Sequence, residues 1–221
     1  MTVTSILVIA KAPEPGRAKT RLRPPCTQQE AAWIAEAALR DTLDAVSSVP
    51  GAEPVLVLDG EPGPWLPRGV HAIAQRGDGL GERLDAAFED AGGPAVLIGM
   101  DTPQVSPAIL GDAVRMLEAP EVDAVFGEAD DGGWWIAGLR EHLPRTFADV
   151  EMSTQSTGRR QRLRLRALGM RIGELPRLRD VDTFDDALAV GELVPGGRFA
   201  AAVADVAARL GLDDDAEEAT A

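Results

Sequence analysis

A short segment near the amino end of the chain carries an unusual concentration of positive charge. It follows an apolar run at residues 6–10 whose β-branched side chains are typical of a buried strand. Repulsion between closely spaced cations is relieved when an anion joins them, and the rest of the chain is acidic. We therefore predict that this segment, the basic loop at residues 11–23, binds the phosphates of a nucleotide. Its cations are Lys11, Arg17, Lys19, Arg21 and Arg23.

The basic loop does not have the spacing of a Walker-type phosphate motif. Pro13, Pro15 and Gly16 prevent it from being helical throughout, and Gly16 lets the backbone approach a phosphate closely. A solvated loop with scattered basic residues is the alternative interpretation. We favour phosphate binding because the loop directly follows a buried strand, where ligands bind in α/β proteins.

Two acidic residues are the candidate metal ligands. Asp101 comes directly after a predicted strand at residues 94–99, and Asp182 lies in the stretch 180–183. Magnesium is commonly held by one or two carboxylates together with substrate phosphates. We predict that Asp101 and Asp182 bind Mg²⁺ or Mn²⁺. The alternatives are that Asp101 closes a turn and that Asp182 is the N-cap of a helix.

Two glycine-rich segments complete the candidate site. In the first, at residues 75–81, glycines between a strand and a helix would let a planar base lie against the backbone. In the second, at residues 130–135, two acids, two glycines and two tryptophans suggest a wall of the acceptor pocket. Both patterns also arise for steric reasons alone, and alternation along a strand would bury one of the two indoles.

Composition argues against several other functions. The chain has 221 residues, 45% of them hydrophobic, which is enough for a full core, and its net charge of −14 opposes binding to nucleic acid or anionic membranes. The single cysteine, Cys26, excludes an internal disulfide, and neither His71 nor His142 lies in a motif-like setting. The first apolar run is too short to span a membrane, so a cytoplasmic protein is expected.

Strands alternate with helices over most of the chain, which predicts a three-layer α/β sandwich with a mostly parallel mixed sheet. Ligands of such sheets bind beyond the carboxyl ends of the strands. The basic loop, the segment 75–81 and the segment after residue 99 that contains Asp101 all follow strands, so they should lie along one edge of the sheet. Residues 1–196 are expected to form the nucleotide-binding domain, and residues 197–221 a C-terminal helix with an acidic, disordered tail. Strands are predicted at residues 6–10, 55–58, 70–74, 94–99, 124–127, 134–139 and 170–173, and a basic helix is expected to be capped by Ser153 or Thr154.

Four stretches resemble the signatures of a functionally uncharacterised bacterial family with the GT-A, nucleotide-diphospho-sugar transferase fold. They are residues 10–22, 98–104, 131–135 and 180–183. That family is similar to the 2-phospho-lactate guanylyltransferases of coenzyme F420 synthesis and, more distantly, to the molybdenum-cofactor nucleotidyltransferases. The resemblance covers residues 3–192 and implies this fold and a nucleotide-dependent transferase.

The resemblance also implies roles for individual residues. The triphosphate would be bound and neutralised by Lys11, Arg17, Lys19 and Arg21, and further nucleotide contacts would come from Ala10, Gly16, Gln75, Gly79, Leu80 and Gly81. The acceptor would contact Asp131, Gly132, Gly133 and Trp134, and the metal would bind Asp101 and Asp182. Two residues depart from the family pattern: Met100 replaces a smaller side chain, and Met152 replaces an expected tryptophan. The basic loop also lacks the Gly-x-Gly pattern of sugar nucleotidyltransferases.

Three functions are consistent with these residues. The first is a Mg²⁺-dependent nucleotidyltransferase that moves a nucleoside monophosphate from a nucleoside triphosphate to a small phosphorylated acceptor. The second is a glycosyltransferase that uses a nucleotide sugar, with Asp131 as the base for a sugar hydroxyl. The third is a nucleotide-binding module without turnover, which Met100 and Met152 would permit. The base, the acceptor and the oligomeric state stay open, a homodimer being one option.

Overall fold

The structure, a computed structural model, describes residues 3–212. Its strands form one seven-stranded sheet in the order β3-β2-β1-β4-β6-β5-β7. They are β1 (Thr4–Lys11), β2 (Ala52–Asp59), β3 (His71–Ala74), β4 (Ala95–Gly99), β5 (Ala124–Glu128), β6 (Trp134–Leu139) and β7 (Ile172–Glu174). Neighbouring strands are parallel except where β6 runs antiparallel to β4 and β5. The predicted mostly parallel mixed sheet is confirmed.

Helices cover both faces of this sheet. They are α1 (Gln28–Ser47), α2 (Leu80–Ala91), α3 (Pro107–Glu118), α4 (Thr157–Ala167), α5 (Phe184–Leu193) and α6 (Arg198–Leu210), with one 3-10 turn at Thr20–Leu22. Ile6 and Val8 of β1 join a core shared with α1 and α3, whereas Leu7 joins a core shared with α2 and α4. This alternation gives the predicted layers, with helices on either side of the sheet.

Capping residues set the start of several helices. Thr27 forms a reciprocal capping box with Glu30 at α1, and Ser106 caps α3. Helix α5 has Thr183 at its N-cap position, and the Thr183 side chain accepts from the Asp186 amide. The alternative in which Asp182 is the N-cap is therefore wrong, and the Asp182 carboxylate is left for other contacts.

The basic helix begins later than predicted. Helix α4 starts at Thr157 with Ser156 at the N-cap position, beyond both predicted caps. Ser153 has a φ of 60°, in the left-handed region that cannot continue into a helix. The Thr154 hydroxyl lies 3.1 Å from that of Ser156 and 3.2 Å from that of Thr157, so this segment forms a local polar turn before the helix.

Strand β2 is longer than predicted. It begins at Ala52 because residues 52–54 continue the parallel pairing with β1. Pro54 is tolerated there because β3 pairs with β2 only from Val55 onward, so no partner on that side needs the missing amide.

The C-terminal helix α6 packs against α1 and α5. Phe199, Ala202 and Val203 are buried in a cluster shared with Ile34 of α1 and Val190 of α5. The acidic tail at residues 213–221 that the sequence predicts to be disordered lies outside the described residues.

Candidate active site

A cleft opens at the carboxyl ends of the parallel strands. The basic loop follows β1, residues 75–79 lead from β3 into α2, and residues 100–106 lead from β4 into α3. Since these strands run in the same direction, the loops that follow them meet at one edge of the sheet. The cleft has a volume of about 910 Å³, within the range of sites that hold small ligands.

Most of the predicted site residues line this cleft. They are Ala10, Lys11, Arg17, Lys19, Arg21, Gln75, Leu80, Asp101, Asp131, Gly133, Trp134 and Asp182. Asp101 and Asp182, which are distant in sequence, therefore share one cavity with the basic loop. Their chemical roles stay predictions.

Four predicted glycines are not among the lining residues: Gly16, Gly79, Gly81 and Gly132. Gly81 packs tightly against the backbone at Phe147. A Cβ on Gly81 would lie 2.7 Å from the carbonyl oxygen of Phe147. Gly132 has a φ of 89° and packs against the backbone of Gln155. The structure thus places Gly81 and Gly132 in close packing against neighbouring backbone rather than on the surface that a ligand would touch.

Asp59 organises two arginines at one end of the cleft. It is the last residue of β2, and its carboxylate accepts hydrogen bonds from Arg17 at 3.3 Å and from Arg83 at 3.2 Å. Glu14 accepts a second bond from Arg17 at 2.8 Å. Both guanidinium groups are therefore oriented before a ligand arrives, which reduces the entropy lost on binding an anion.

Gln75 is a strut between strands. Its amide nitrogen donates to the carbonyls of Ala10 at 2.8 Å and Val57 at 3.1 Å, and its oxygen accepts from Arg83 at 3.2 Å. These bonds use both N–H groups of the side-chain amide. Gln75 lines the cleft as predicted, but its N–H groups are not available to recognise a base.

Lys19 lies against Asp101. The Lys19 side chain is only 7% exposed, and its Nζ is 2.5 Å from Oδ1 of Asp101. The same ammonium donates to the carbonyl of Val181. The backbone φ of Lys19 is 49°, in the left-handed region that few residues other than glycine adopt. A residue predicted to bind phosphate is thus engaged by a predicted metal ligand.

The segment 179–183, here called the acidic loop, is tied to this part of the cleft. The Val181 amide donates to the carbonyl of Asp101 at 2.8 Å. Arg21 donates to the Asp182 carboxylate at 2.8 Å. The bonds from the basic loop and from the end of β4 hold the acidic loop beside Asp101, although the two are far apart in sequence.

Asp180 adds a further carboxylate to the cleft. Burial, together with repulsion from Asp131, Asp101 and Asp182, raises the pKa of Asp180 to about 8. The positive charge of Lys19 opposes this rise only in part. These four aspartates form an acidic cluster. Its total negative charge is larger than the single positive charge of Lys19 beside it.

The donor chemistry of the acidic cluster, rather than a complete set of protein ligands, suits a hard divalent cation. Its donors are carboxylate oxygens, the ligands that Mg²⁺ and Mn²⁺ take, and the buried Oδ1 of Asp180 has no hydrogen-bond partner. Among residues 3–212, no group of three or more His, Cys, Asp or Glu side chains is arranged to hold a metal. Phosphate oxygens of a substrate would therefore have to complete the coordination of an ion on Asp101 and Asp182.

The other end of the cleft is formed by Trp134 and by the turn before α4. Oδ1 of Asp131 accepts from the Gly133 amide at 2.7 Å, which shapes the turn ahead of β6. Trp134 lines the cleft and packs at a tilt against Phe147, whereas Trp135 is 2% exposed in the core. The prediction that alternation along the strand buries one of the two indoles is confirmed.

The two methionines that depart from the family pattern occupy different environments. Met100 is 7% exposed and belongs to the core between the sheet, α1 and α3. Met152 packs on the opposite core and lines the same end of the cleft as Trp134. Met100 is thus accommodated by packing, and Met152 presents an apolar surface where the acceptor would lie.

Three residues of the cleft region were missed at the level of sequence: Asp59, Arg83 and Asp180. Asp59 carries the signal that pointed to Asp101, an acid at the carboxyl end of a strand. Asp180 stands in the same acidic stretch as Asp182. Arg83 has only a weak signal, in that a cation near the start of a helix opposes the helix dipole.

Solved structures share this fold. A candidate nucleotide-diphospho-sugar transferase from Desulfovibrio desulfuricans G20 matches with a TM-score of 0.84 and 26% identity, over 94% of this chain and 96% of that one. A CMP:2-keto-3-deoxy-manno-octonic acid synthetase complexed with CTP matches with a TM-score of 0.56 and 13% identity, over 86% and 100%. A cytidylyltransferase from Leptospira borgpetersenii serovar Hardjo-bovis (strain JB197) matches with a TM-score of 0.56 and 12% identity, over 96% of each chain. No curated protein matches the sequence significantly.

The sheet order and the similarity to the Desulfovibrio structure show that this chain has the nucleotide-diphospho-sugar transferase fold, as the sequence resemblance implied. The chain belongs to the family DUF2064, described as "uncharacterized protein conserved in bacteria", whose profile matches residues 34–154. Within residues 3–212, none of the helices has the length and apolar character needed to cross a membrane.

Proposed function

We propose that this protein is a divalent-metal-dependent nucleotidyltransferase. An oxygen of the acceptor's phosphate attacks the α-phosphorus of a nucleoside triphosphate. The bond from the α-phosphorus to the bridging oxygen breaks, and pyrophosphate leaves. The observation that carries the proposal is the meeting of the basic loop with Asp101 and Asp182 in one cleft.

The cations of the basic loop bind and neutralise the triphosphate. Lys11, Arg17 and Arg21 line the cleft, and Arg17 is already oriented by Glu14 and Asp59. Charge-assisted hydrogen bonds of this kind contribute roughly 1.5–3 kcal/mol each. Because negative charge builds up on the leaving pyrophosphate, donors that are oriented in advance stabilise the transition state.

Asp101 and Asp182 hold Mg²⁺ or Mn²⁺. When bound, the ion neutralises charge on the phosphate oxygens that it contacts. No side chain has to act as a general base, since the attacking phosphate oxygen is already ionised near neutral pH. The chain's contribution is to bring the two phosphates together in the required orientation.

The acceptor lies at the end of the cleft formed by Asp131, Gly133 and Trp134. Trp134 supplies an apolar surface, and Met152 extends it. Nucleotide use is supported by the shared fold of the synthetase complexed with CTP and of the cytidylyltransferase. With the N–H groups of Gln75 engaged, the base is recognised by other groups of the cleft.

A glycosyltransferase is the second candidate, favoured by the name of the Desulfovibrio structure at 26% identity. In this case a nucleotide sugar is the donor and a nucleoside diphosphate is the leaving group. Asp131 accepts the proton of the attacking sugar hydroxyl, and Asp101 again holds the metal.

Thermal shift with Mg²⁺ separates these two candidates. Stabilisation by nucleoside triphosphates but not by nucleotide sugars supports the first, and the reverse supports the second. Pyrophosphate release is then measured with each triphosphate and a panel of phosphorylated acceptors. Release that is unchanged in Asp101→Ala contradicts the assigned metal site. Triphosphate binding without product from any acceptor indicates a binding module without turnover.

A further inference from the structure

The chain contains two lysines, Lys11 and Lys19, and both line the cleft. Their environments differ. Lys11 ends β1 and is exposed to solvent. Lys19 is 7% exposed and lies in contact with Asp101. The two side chains carry the same charge in the same cavity, so a comparison between them isolates the effect of the contact with Asp101.

The Lys19 ammonium already supplies the positive charge that Asp101 would gain from a metal. Its Nζ is 2.5 Å from Oδ1, so the ammonium neutralises the carboxylate at the oxygen that it contacts. A divalent ion in contact with the same oxygen would also be repelled by the ammonium. Lys19 and a metal therefore compete for Asp101.

We propose that Lys19 takes the place of the divalent cation on Asp101 in the ligand-free protein and leaves it for a phosphate oxygen when metal and nucleotide bind. This inference depends on the metal site of the proposed function. It makes metal binding weak until a triphosphate arrives, because the phosphate supplies the partner that the displaced ammonium needs. Binding of the metal and of the nucleotide is then coupled.

The local structure allows the side chain to move without the backbone. Lys19 directly precedes the 3-10 turn, and its carbonyl accepts from the Leu22 amide at 3.0 Å, which holds the main chain in place. Asp101 is 48% exposed, so the salt bridge lies at the side that opens to the cleft. The flexible four-carbon stem of lysine can carry the ammonium from Asp101 toward a bound phosphate.

The test is calorimetric titration of Mn²⁺ in the absence of nucleotide into the wild-type protein, Lys19→Met and Lys11→Met. We expect about tenfold tighter binding in Lys19→Met, because the competitor for Asp101 is gone. Lys11→Met is the matched control, since it removes the same charge from the cleft without freeing Asp101. Affinity in Lys19→Met that is no higher than in Lys11→Met overturns the proposal.

A measurement on the wild-type protein guards against a folding defect in the variants. Acetylation by a lysine-reactive ester, followed by mass spectrometry, should modify Lys11 faster than Lys19 in the ligand-free protein. Saturating Mn²⁺ should raise the rate at Lys19, because the ammonium is displaced into the cleft. An unchanged rate at Lys19 while the calorimeter records Mn²⁺ binding overturns the proposal.

Failure of the metal site itself gives a different result. If Mn²⁺ fails to bind the wild-type protein and both lysine variants even with a triphosphate present, the metal site and this inference both fall. If Mn²⁺ binds and Asp101→Asn abolishes that binding, but Lys19→Met does not tighten it, the metal site stands and only the exchange is rejected.

Discussion

Two segments of this acidic chain are rich in cations, and they differ in the acids that face them. The basic loop carries Lys11, Arg17, Lys19, Arg21 and Arg23, and helix α4 carries Arg159, Arg160, Arg162, Arg164 and Arg166. The loop follows the carboxyl end of β1, and all of its cations except Arg23 line the cleft. The five arginines of α4 are not among the residues that line the cleft.

On α4, arginines are neutralised by surface acids. Arg162 contacts Glu128 at 3.2 Å and Glu174 at 3.0 Å, and Arg164 contacts Asp149 at 3.2 Å. Pairs of this kind on the surface contribute little to stability. Helix α4 thus pairs these arginines with acids that do not line the cleft.

In the basic loop the partners are themselves candidate functional groups. Lys19 contacts Asp101, and Arg21 contacts Asp182. A ligand that brings a metal and phosphates can exchange these partners, because each acid gains the metal as each cation gains a phosphate. The comparison teaches that two segments with the same number of cations can differ in their consequences. What matters is whether the acids that the cations contact line the cleft or lie outside it.

The largest expected effect is that of Asp101→Asn. If Asp101 holds the metal, we expect pyrophosphate release to fall about 100-fold or more, because charge on the reacting phosphates is no longer offset. Asp112→Asn on α3, which removes an exposed acid outside the cleft, is the control and should be unaffected. Equal rates in the two variants would contradict the role of Asp101.

Arg17→Gln and Arg160→Gln compare the two cationic segments directly. Arg17→Gln should raise the KM for the nucleotide about tenfold, because one charge-assisted hydrogen bond to a phosphate is lost. Arg160, which contacts Glu151 on the surface, should change KM by less than about twofold when replaced. Steady-state kinetics over a range of nucleotide concentrations provides both values. An equal rise in the two variants would mean that general charge, rather than position, attracts the nucleotide.

Gln75→Ala examines the support behind the basic loop. It removes the hydrogen bonds to Ala10, Val57 and Arg83, so we expect the free energy of unfolding to fall by about 1–3 kcal/mol. Urea unfolding measures the change, with the exposed Gln29→Ala as the control. A loss no larger than that of the control would show that Gln75 is not a structural strut.

The smallest expected effect is that of replacing Asp149, whose carboxylate contacts Arg164 of α4. The Arg145 guanidinium that binds it, with Arg164 nearby, lowers the pKa of Asp149 below its ordinary value of 3.8. A carboxyl with a lowered pKa in the folded state stabilises the fold above that ordinary value, and the contribution is lost as pH falls through the folded-state pKa. Asp149→Asn should therefore lower Tm by about 1–2 °C at neutral pH and by less in acid. Melting curves across this pH range check the trend, and an equal loss at every pH would contradict it.

Much of this protein follows from local sequence signals. Thr27 with Glu30, Ser106 and Thr183 start their helices through bonds within a few residues, and β1 and β4 are apolar runs that a sheet must bury. Parallel strands then place the loops after them at one edge, which brings the basic loop and Asp101 to the same cleft. These features depend on short-range chemistry and on the geometry of parallel sheets, so they can be deduced without coordinates.

Other features depend on pairs of residues that are far apart in the chain. The contact of Lys19 with Asp101, the strut made by Gln75 and the packing of Gly81 against Phe147 each require two distant segments of the chain to approach in a particular way. Residue type and spacing identify a cation, an amide and a glycine, but they do not say which neighbour each will meet. Only the tertiary structure assigns those partners. It therefore decides which side chains are available to bind a ligand and which are already bonded within the protein.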